Sequence, residues 1–205
     1  MIKNIIFDYG RVLVDYSLEY LYDGIFDDKQ EMQWFIDNVV NAEFHTTLDL
    51  GNPTQEVIEE WQRRFPKYRW ELECYDTDYL KLIGSEVPGM RQLLIDLHDR
   101  GFRLFGLTNW GHQFQVVYEN YDIFQLLDGQ VVSGEEHVVK PDPRIFEILL
   151  DRYRLLPEEC VFTDDRADNV EGAHRMGIHG IVFKNAEQLR EQINLLVSGV
   201  EGDSM

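Results

Sequence analysis

Asp8, Thr108, Lys140 and the pair Asp164-Asp165 are the residues whose types and surroundings suit chemistry on phosphorus. Asp8 ends the apolar run Ile5-Ile6-Phe7. That places a carboxylate at the C-terminal end of a buried strand, where an open α/β sheet keeps its active site. Such a carboxylate can attack phosphorus and form an aspartyl-phosphate; an Asp capping a backbone turn is the plainer alternative. Thr108, near the end of FRLFGLTN, can hold a phosphoryl oxygen with the adjacent backbone N–H groups, or simply close a turn. Lys140, in HVVKPDP, offers a cation beside a proline-opened helix, or is an ordinary surface lysine; nearby helix N-termini would add partial positive charge. Asp164-Asp165 ends CVFTDD and runs on as RADN. Two adjacent acids after a strand are costly unless something neutralises them. Mg²⁺ does so with one or two carboxylates plus substrate oxygens, whereas capping a helix N-terminus explains one acid better than two.

These residues need strands and helices to hold them. From about residue 87 onward the two patterns alternate. Pro88-Gly89 opens a helix with Met90, Leu93, Leu94 and Leu97 on one face, and Gly101 closes it. Phe102–Leu107 reads as a strand, Gln130–Val132 as a short one, and Cys160–Thr163 as a buried one. Pro141 and Pro143 suit the first turn of a helix through Ile145, Ile148 and Leu149. A helix closed by Gly177, a strand over Ile178–Phe183 and a helix capped by Asn185 complete the series. This rhythm predicts an α/β fold, a Rossmann-like parallel sheet with helices on both faces.

Residues 15–85 differ. They hold 13 of the 26 aromatics and few strand patterns. Met32, Phe35, Ile36, Val39 and Val40 fall at helical spacing, and Gly51-Asn52-Pro53-Thr54 marks a helix start. The expected organisation is a core of residues 1–14 and 86–197, an inserted helical cap domain over 15–85, and a flexible tail over 198–205. The aromatics read as the cap's own core rather than a ligand cage.

Composition narrows the partners. Thirty-eight acidic residues against 19 basic ones give a formal charge of −19, which repels nucleic acid and anionic membranes and excludes both as expected partners. A phosphorylated substrate then needs a local cation, and Lys140 is the candidate. Cys74 and Cys160 show no disulfide or zinc spacing. Neither a signal peptide nor a membrane span is read, so a cytoplasmic protein is expected.

Taken in order, FDYG, LTN, KPDP and DDRADN resemble the motifs of the haloacid dehalogenase superfamily, mostly phosphatases, over residues 3–14 and about 87–184. The resemblance implies a Mg²⁺-dependent phosphatase acting on a small phosphorylated metabolite. It implies Asp8 as nucleophile and metal ligand, the Gly10 carbonyl as a further ligand, and Asp165 on the metal with Asp164 beside it, directly or through water. Thr108 and Asn109 would hold the transferring phosphoryl group, Lys140 would stabilise charge on Asp8 and the phosphoryl oxygens, and Asn169 would fix the loop. Arg11 either reaches substrate phosphate or makes a surface ion pair. Trp110 and His112 either line the site mouth or pack in a turn, and His137 reads as a satisfied surface residue.

Gly10 departs from the pattern. The superfamily's phosphatases carry a second Asp there, which protonates the leaving group and then activates water; losing such a group costs ~10²–10⁴ in rate. Three readings follow: a phosphatase, possessing the sugar-phosphate branch's Gly and favouring leaving groups that need little protonation; a 2-haloacid dehalogenase, which needs no such acid but also no Asp164-Asp165 pair; or a non-catalytic binding protein. Asp15, Glu43 and His45 are the candidate proton sources on the cap side.

Overall fold

The computed structural model describes residues 1–199. In chain order the strands and α-helices are β1 (Asn4–Phe7), β2 (Val14–Tyr16), α1 (Leu18–Tyr22), α2 (Lys29–Asn38), α3 (Ala42–Asp49), α4 (Thr54–Arg64), α5 (Arg69–Thr77) and β3 (Ile83–Glu86). Then come α6 (Met90–Asp99), β4 (Arg103–Thr108), α7 (Phe114–Asn120), β5 (Gly129–Val132), α8 (Ser133–Glu136), α9 (Pro143–Tyr153), β6 (Cys160–Asp164), α10 (Ala167–Arg175), β7 (His179–Val182) and α11 (Ala186–Ser198).

Five strands form a parallel sheet in the order β5-β4-β1-β6-β7. The chain builds outward from β1 through β4 to β5, then returns to the other side of β1 for β6 and β7. The order therefore reverses between β1 and β6, the switch point at which such sheets open a crevice beyond their C-terminal ends. Asp8 and the Asp164-Asp165 pair come from those two strands, which are paired in register from Asn4 with Cys160 to Phe7 with Thr163.

Side chains alternate across the sheet as the strand period requires. Ile5, Phe7, Leu104 and Val161 face one apolar cluster, which also takes in α6, α11 and the buried residues of the helices between β2 and β3. Ile6, Phe105, Leu107, Val131 and Phe162 face a second, covered by Ile145, Phe146 and Leu149 of α9 and Ala173 of α10. The sheet is thus covered on both faces, as the alternating pattern predicts. Local signals act where the sequence puts them: Gly89 and Gly101 take positive φ at the ends of α6, and Asn185 accepts the Gln188 N–H at 2.9 Å to start α11. The two prolines of KPDP part company. Pro143 opens α9 behind its N-cap Asp142, whereas Pro141 stays outside the helix, joined to Lys140 by a cis peptide bond.

Residues between β2 and β3 form α1–α5 and short 3₁₀ turns. Sequence reading finds no strand at either boundary, yet β2 and β3 pair antiparallel, Val14 with Glu86 and Tyr16 with Ile83. Three- and four-residue strands leave too little alternation to be seen in a sequence. At the other end, α11 runs to Ser198 and Gly199 follows at positive φ; the rest of the expected tail, from residue 200, lies outside the described residues. Among those described, no helix is long and apolar enough to cross a membrane, and both cysteines are free and buried.

Candidate active site

A cavity of about 380 Å³ opens at the C-terminal ends of β1 and β4. Its floor comes from the strand ends, the loops beyond them and α10: Asp8, Gly10, Arg11, Thr108, Asn109, Lys140, Asp165 and Asn169. Its roof comes from the inserted helices, with Ile36 of α2, His45 and Asp49 of α3, Tyr75 of α5 and Tyr79; Tyr16 and Trp110 stand between the two.

Lys140 organises the floor. Its side chain is only 1% exposed, and its ammonium donates to Asp8 Oδ1 at 2.8 Å, to the Leu107 carbonyl at 2.7 Å and to Asp164 Oδ2 at 2.7 Å. Three protons meet three oxygens, so the ammonium is fixed in place. Burial pulls its pKa down, but the two carboxylates outweigh burial and hold it above the usual lysine range. Asn109 secures the same residue from behind: its amide donates to the Lys140 carbonyl at 3.0 Å and accepts the Lys140 N–H at 2.7 Å. Both polar ends of the Asn109 side chain are therefore spent on positioning Lys140.

Asp164 and Asp165 occupy different worlds. Asp164 is fully buried and accepts from Lys140, from the Arg166 N–H at 2.8 Å and from the Asn169 amide at 3.0 and 3.1 Å. It braces the site from within and does not line the cavity. Asp165 does line it, with Arg11 at 3.9 Å. Of the two roles open to it, the surface ion pair is the one formed; Arg11 also lines the cavity, and its Nε reaches the Tyr16 carbonyl at 3.3 Å.

The donor set suits a hard divalent cation. Asp8, Asp164 and Asp165 each present an oxygen within 4.8 Å of the others, and only Asp8 and Asp164 are bonded to the buried ammonium. Burial pushes Asp8 up to about 7 against the pull of Lys140, and Asp164 pushes it further. The cluster carries surplus negative charge, in an all-oxygen setting of the kind Mg²⁺ takes. Asn169, whose Oδ1 is buried and without a partner, also lines the cavity.

The roof was not legible as a site. Most of the insertion's aromatics do form its core, among them Tyr22, Phe35, Phe44 and Trp61. Tyr75 and Tyr79 belong to that core too, with Tyr16 packed against it, and all three also wall the cavity, where the Trp110 indole donates to the Tyr79 hydroxyl at 2.6 Å and Tyr75 lies 3.3 Å from His45 Nδ1. Of the three candidate proton sources only His45 faces the cavity. Glu43 is an exposed partner of Arg64, bonded at 2.9 and 3.1 Å. Asp15 accepts the Tyr16 N–H at 2.9 Å and the Tyr20 hydroxyl. Asp49 is the residue that sequence reading missed; a single acid among many on helical segments carries no local signal of where it points.

His112 and His137 are exposed, and each is satisfied by a backbone carbonyl, as the surface reading of His137 expects. His137 Nδ1 donates to the Leu50 carbonyl at 2.8 Å, His112 Nε2 to the Gly51 carbonyl at 3.0 Å, and Ser133 Oγ to the Asp49 carbonyl at 2.6 Å. Together they clasp the end of α3 to the sheet's loops. Gly51, at φ +81, lies so close to the Gly134 carbonyl that a Cβ there would collide with it.

Known proteins resemble this chain in sequence and in fold. Residues 2–177 match a family described as haloacid dehalogenase-like hydrolase. Flavin mononucleotide hydrolase 1 of Arabidopsis thaliana is 27% identical over 122 residues, covering 60% of this chain and 48% of that protein. This chain therefore spans only about half of that relative. Glyceraldehyde 3-phosphate phosphatase of Pyrococcus abyssi is 25% identical over 205 residues, covering 90% and 82% of the two chains. Among solved structures, a haloacid dehalogenase family enzyme from Bacteroides thetaiotaomicron, in complex with magnesium and inorganic phosphate, superposes with a TM-score of 0.70 at 21% identity, over 90% of this chain and 96% of that one. At that identity the likeness is one of fold.

Proposed function

Because the chain belongs to the haloacid dehalogenase-like hydrolases, we propose that it is a Mg²⁺-dependent phosphatase that hydrolyses a small phosphomonoester through an aspartyl-phosphate on Asp8. The observation that carries this reading is the hold of Lys140 on Asp8. One carboxylate oxygen, Oδ1, is fixed at 2.8 Å from the ammonium, which leaves Oδ2 as the attacking atom at the cavity floor. Relatives named for flavin mononucleotide and glyceraldehyde 3-phosphate support a phosphorylated metabolite as substrate. The cavity, at about 380 Å³, suits a sugar phosphate or a molecule of similar size.

Each floor residue has a task in this reading. Thr108 and the backbone N–H groups after β4 bind the phosphoryl oxygens. Lys140 has no proton to spare for substrate, so it acts by its field, offsetting charge on Asp8 and on the phosphoryl group. Asn109 and Asp164 keep it there. Mg²⁺, held by Asp8, Asp165 and the Gly10 carbonyl, would supply further charge neutralisation and orient the phosphoryl group. The helical insertion serves as the cap, and its roof selects the leaving group. Free buried cysteines agree with a reducing, cytoplasmic setting.

The test is a panel of phosphate esters assayed for inorganic phosphate with Mg²⁺, with EDTA, and with Asp8→Asn. Turnover should require the metal and fall ~10³-fold or more in the variant. Metal-independent release of halide from 2-haloacids would point to dehalogenation instead. Equally negligible turnover by both forms would mark a protein that binds without catalysing.

A further inference from the structure

We infer that Asp49, from the inserted helices, performs the proton transfers for which residue 10 has no side chain. The inference rests on the phosphatase reading above. In the first step Asp8 Oδ2 bonds to phosphorus while the bond from phosphorus to the leaving oxygen breaks, and the Asp49 carboxyl gives that oxygen its proton, releasing an alcohol. In the second, the Asp49 carboxylate takes a proton from water as its oxygen bonds to phosphorus and the bond to Asp8 breaks. Phosphate leaves, and both aspartates return to their starting forms.

Geometry selects the residue. Displacement at phosphorus runs in line, so the leaving oxygen lies opposite Asp8. Opposite the floor is the roof. Among the described residues, the carboxylates lining the cavity are Asp8, Glu19, Asp49 and Asp165. Asp8 is the nucleophile, and Asp165 belongs to the floor beside it. Glu19 is exposed and accepts from the Ser17 hydroxyl at 3.0 Å. Asp49 alone is both enclosed and on the roof. It ends α3 four residues after His45, so both project from one helix face. Ser133 Oγ, donating to the Asp49 carbonyl at 2.6 Å, fixes the backbone against the sheet's loops.

Its electrostatics suit the work. No hydrogen bond or ion pair holds the Asp49 carboxylate among the described residues. Burial pushes it up to about 7, Lys140 and Arg166 pull it down, and Asp8 pushes it up. An acid in that range supplies either form near neutrality. His45 fails on the same ground, because burial pushes it down to about 4. Near neutral pH it is an unprotonated imidazole, with no ready proton for an alkoxide.

The consequence differs from that of a site with no acid at all. Without one, only leaving groups that depart unprotonated would be expelled; with Asp49, alcohols such as those of sugars and polyols become substrates. The experiment compares para-nitrophenyl phosphate with a sugar phosphate in rapid-mixing assays with Mg²⁺, using wild type, Asp49→Asn, Asp49→Glu and Asp8→Asn. Asp49→Asn should release one nitrophenol per enzyme at close to the wild-type rate, then stall as the aspartyl-phosphate accumulates. Its first turnover on the sugar phosphate should drop ~10²-fold or more, and Asp49→Glu should restore part of it. The preserved nitrophenol burst also shows that the variant is folded. Equal first-turnover losses on both substrates, or none on either, would overturn the role of Asp49. A wild type that releases no nitrophenol, or an Asp8→Asn that releases it as fast as wild type, removes the phosphatase reading and this inference with it.

Discussion

The floor and the roof of the cavity are built on opposite principles. On the floor, polar groups are almost fully committed to one another: Lys140 makes three bonds, Asp164 accepts from three residues, and Asn109 ties off the Lys140 backbone. The roof has a looser network. Its ionisable groups, His45 and Asp49, are displaced from their ordinary pKa values mainly by burial. Rigid charge suits a phosphoryl group common to every substrate. An apolar wall with a few adjustable polar groups suits the part that varies.

Five substitutions bear on that contrast. The largest effect belongs to Lys140→Met, which leaves Asp8 and Asp164 as buried, uncompensated carboxylates. Urea unfolding should show a loss of about 3–5 kcal/mol, and kcat should fall ~10²-fold. A variant of near-native stability would mean that the floor is less rigid than its bonds imply.

Gly51→Ala follows. The positive φ and the encounter with the Gly134 carbonyl should cost about 2 kcal/mol in thermal unfolding, with KM rising because the roof is displaced and the floor is not.

Next come two opposed pH effects in the roof. Asp49 protonates at about 7 when folded and near 3.8 when unfolded. The folded chain holds the extra proton between those values, so this group's contribution is complete below 3.8 and is lost as pH rises to 7. His45 protonates at about 4 when folded and 6.5 when unfolded. There the unfolded chain holds the extra proton, and the contribution is complete above 6.5 and lost as pH falls to 4. Asp49→Asn should therefore gain on wild type above pH 7, and His45→Gln should gain below pH 5, each by a few kcal/mol. Both are read from denaturation curves across pH, and flat differences would refute the burial of these groups. The smallest effect is His137→Ala. Losing one bond to the Leu50 carbonyl should cost about 1 kcal/mol, with a modest rise in KM and kcat unchanged.

The contrast also explains what the sequence disclosed. Asp8, Thr108, Lys140 and Asp165 were legible because each lies at a strand end or helix start, where an apolar run and a sudden polar residue reveal position. Asp164 was legible as a site residue, but its adjacency to Asp165 hid that one points inward and the other into the cavity. Alternation across the pleat separates them. Asp49 was hidden because its meaning depends on how α3 docks, which is a tertiary fact. The same holds for Tyr75 and Tyr79, whose helical setting reads equally well as core. His112 and His137 bond to backbone carbonyls some 61 and 87 residues away, and a carbonyl partner leaves no residue type to recognise.

The pairing of β2 with β3 has a consequence for how such proteins diversify. Chain entry at Tyr16 and exit at Ile83 sit side by side on one ribbon, so the ends of the intervening segment already meet. Exchanging that segment for one of another length imposes little loop-closure entropy on the sheet. A lineage could thus recruit a new substrate by transplanting one contiguous stretch of gene, provided the graft still shields the apolar face formed by Tyr9, Phe114 and their neighbours.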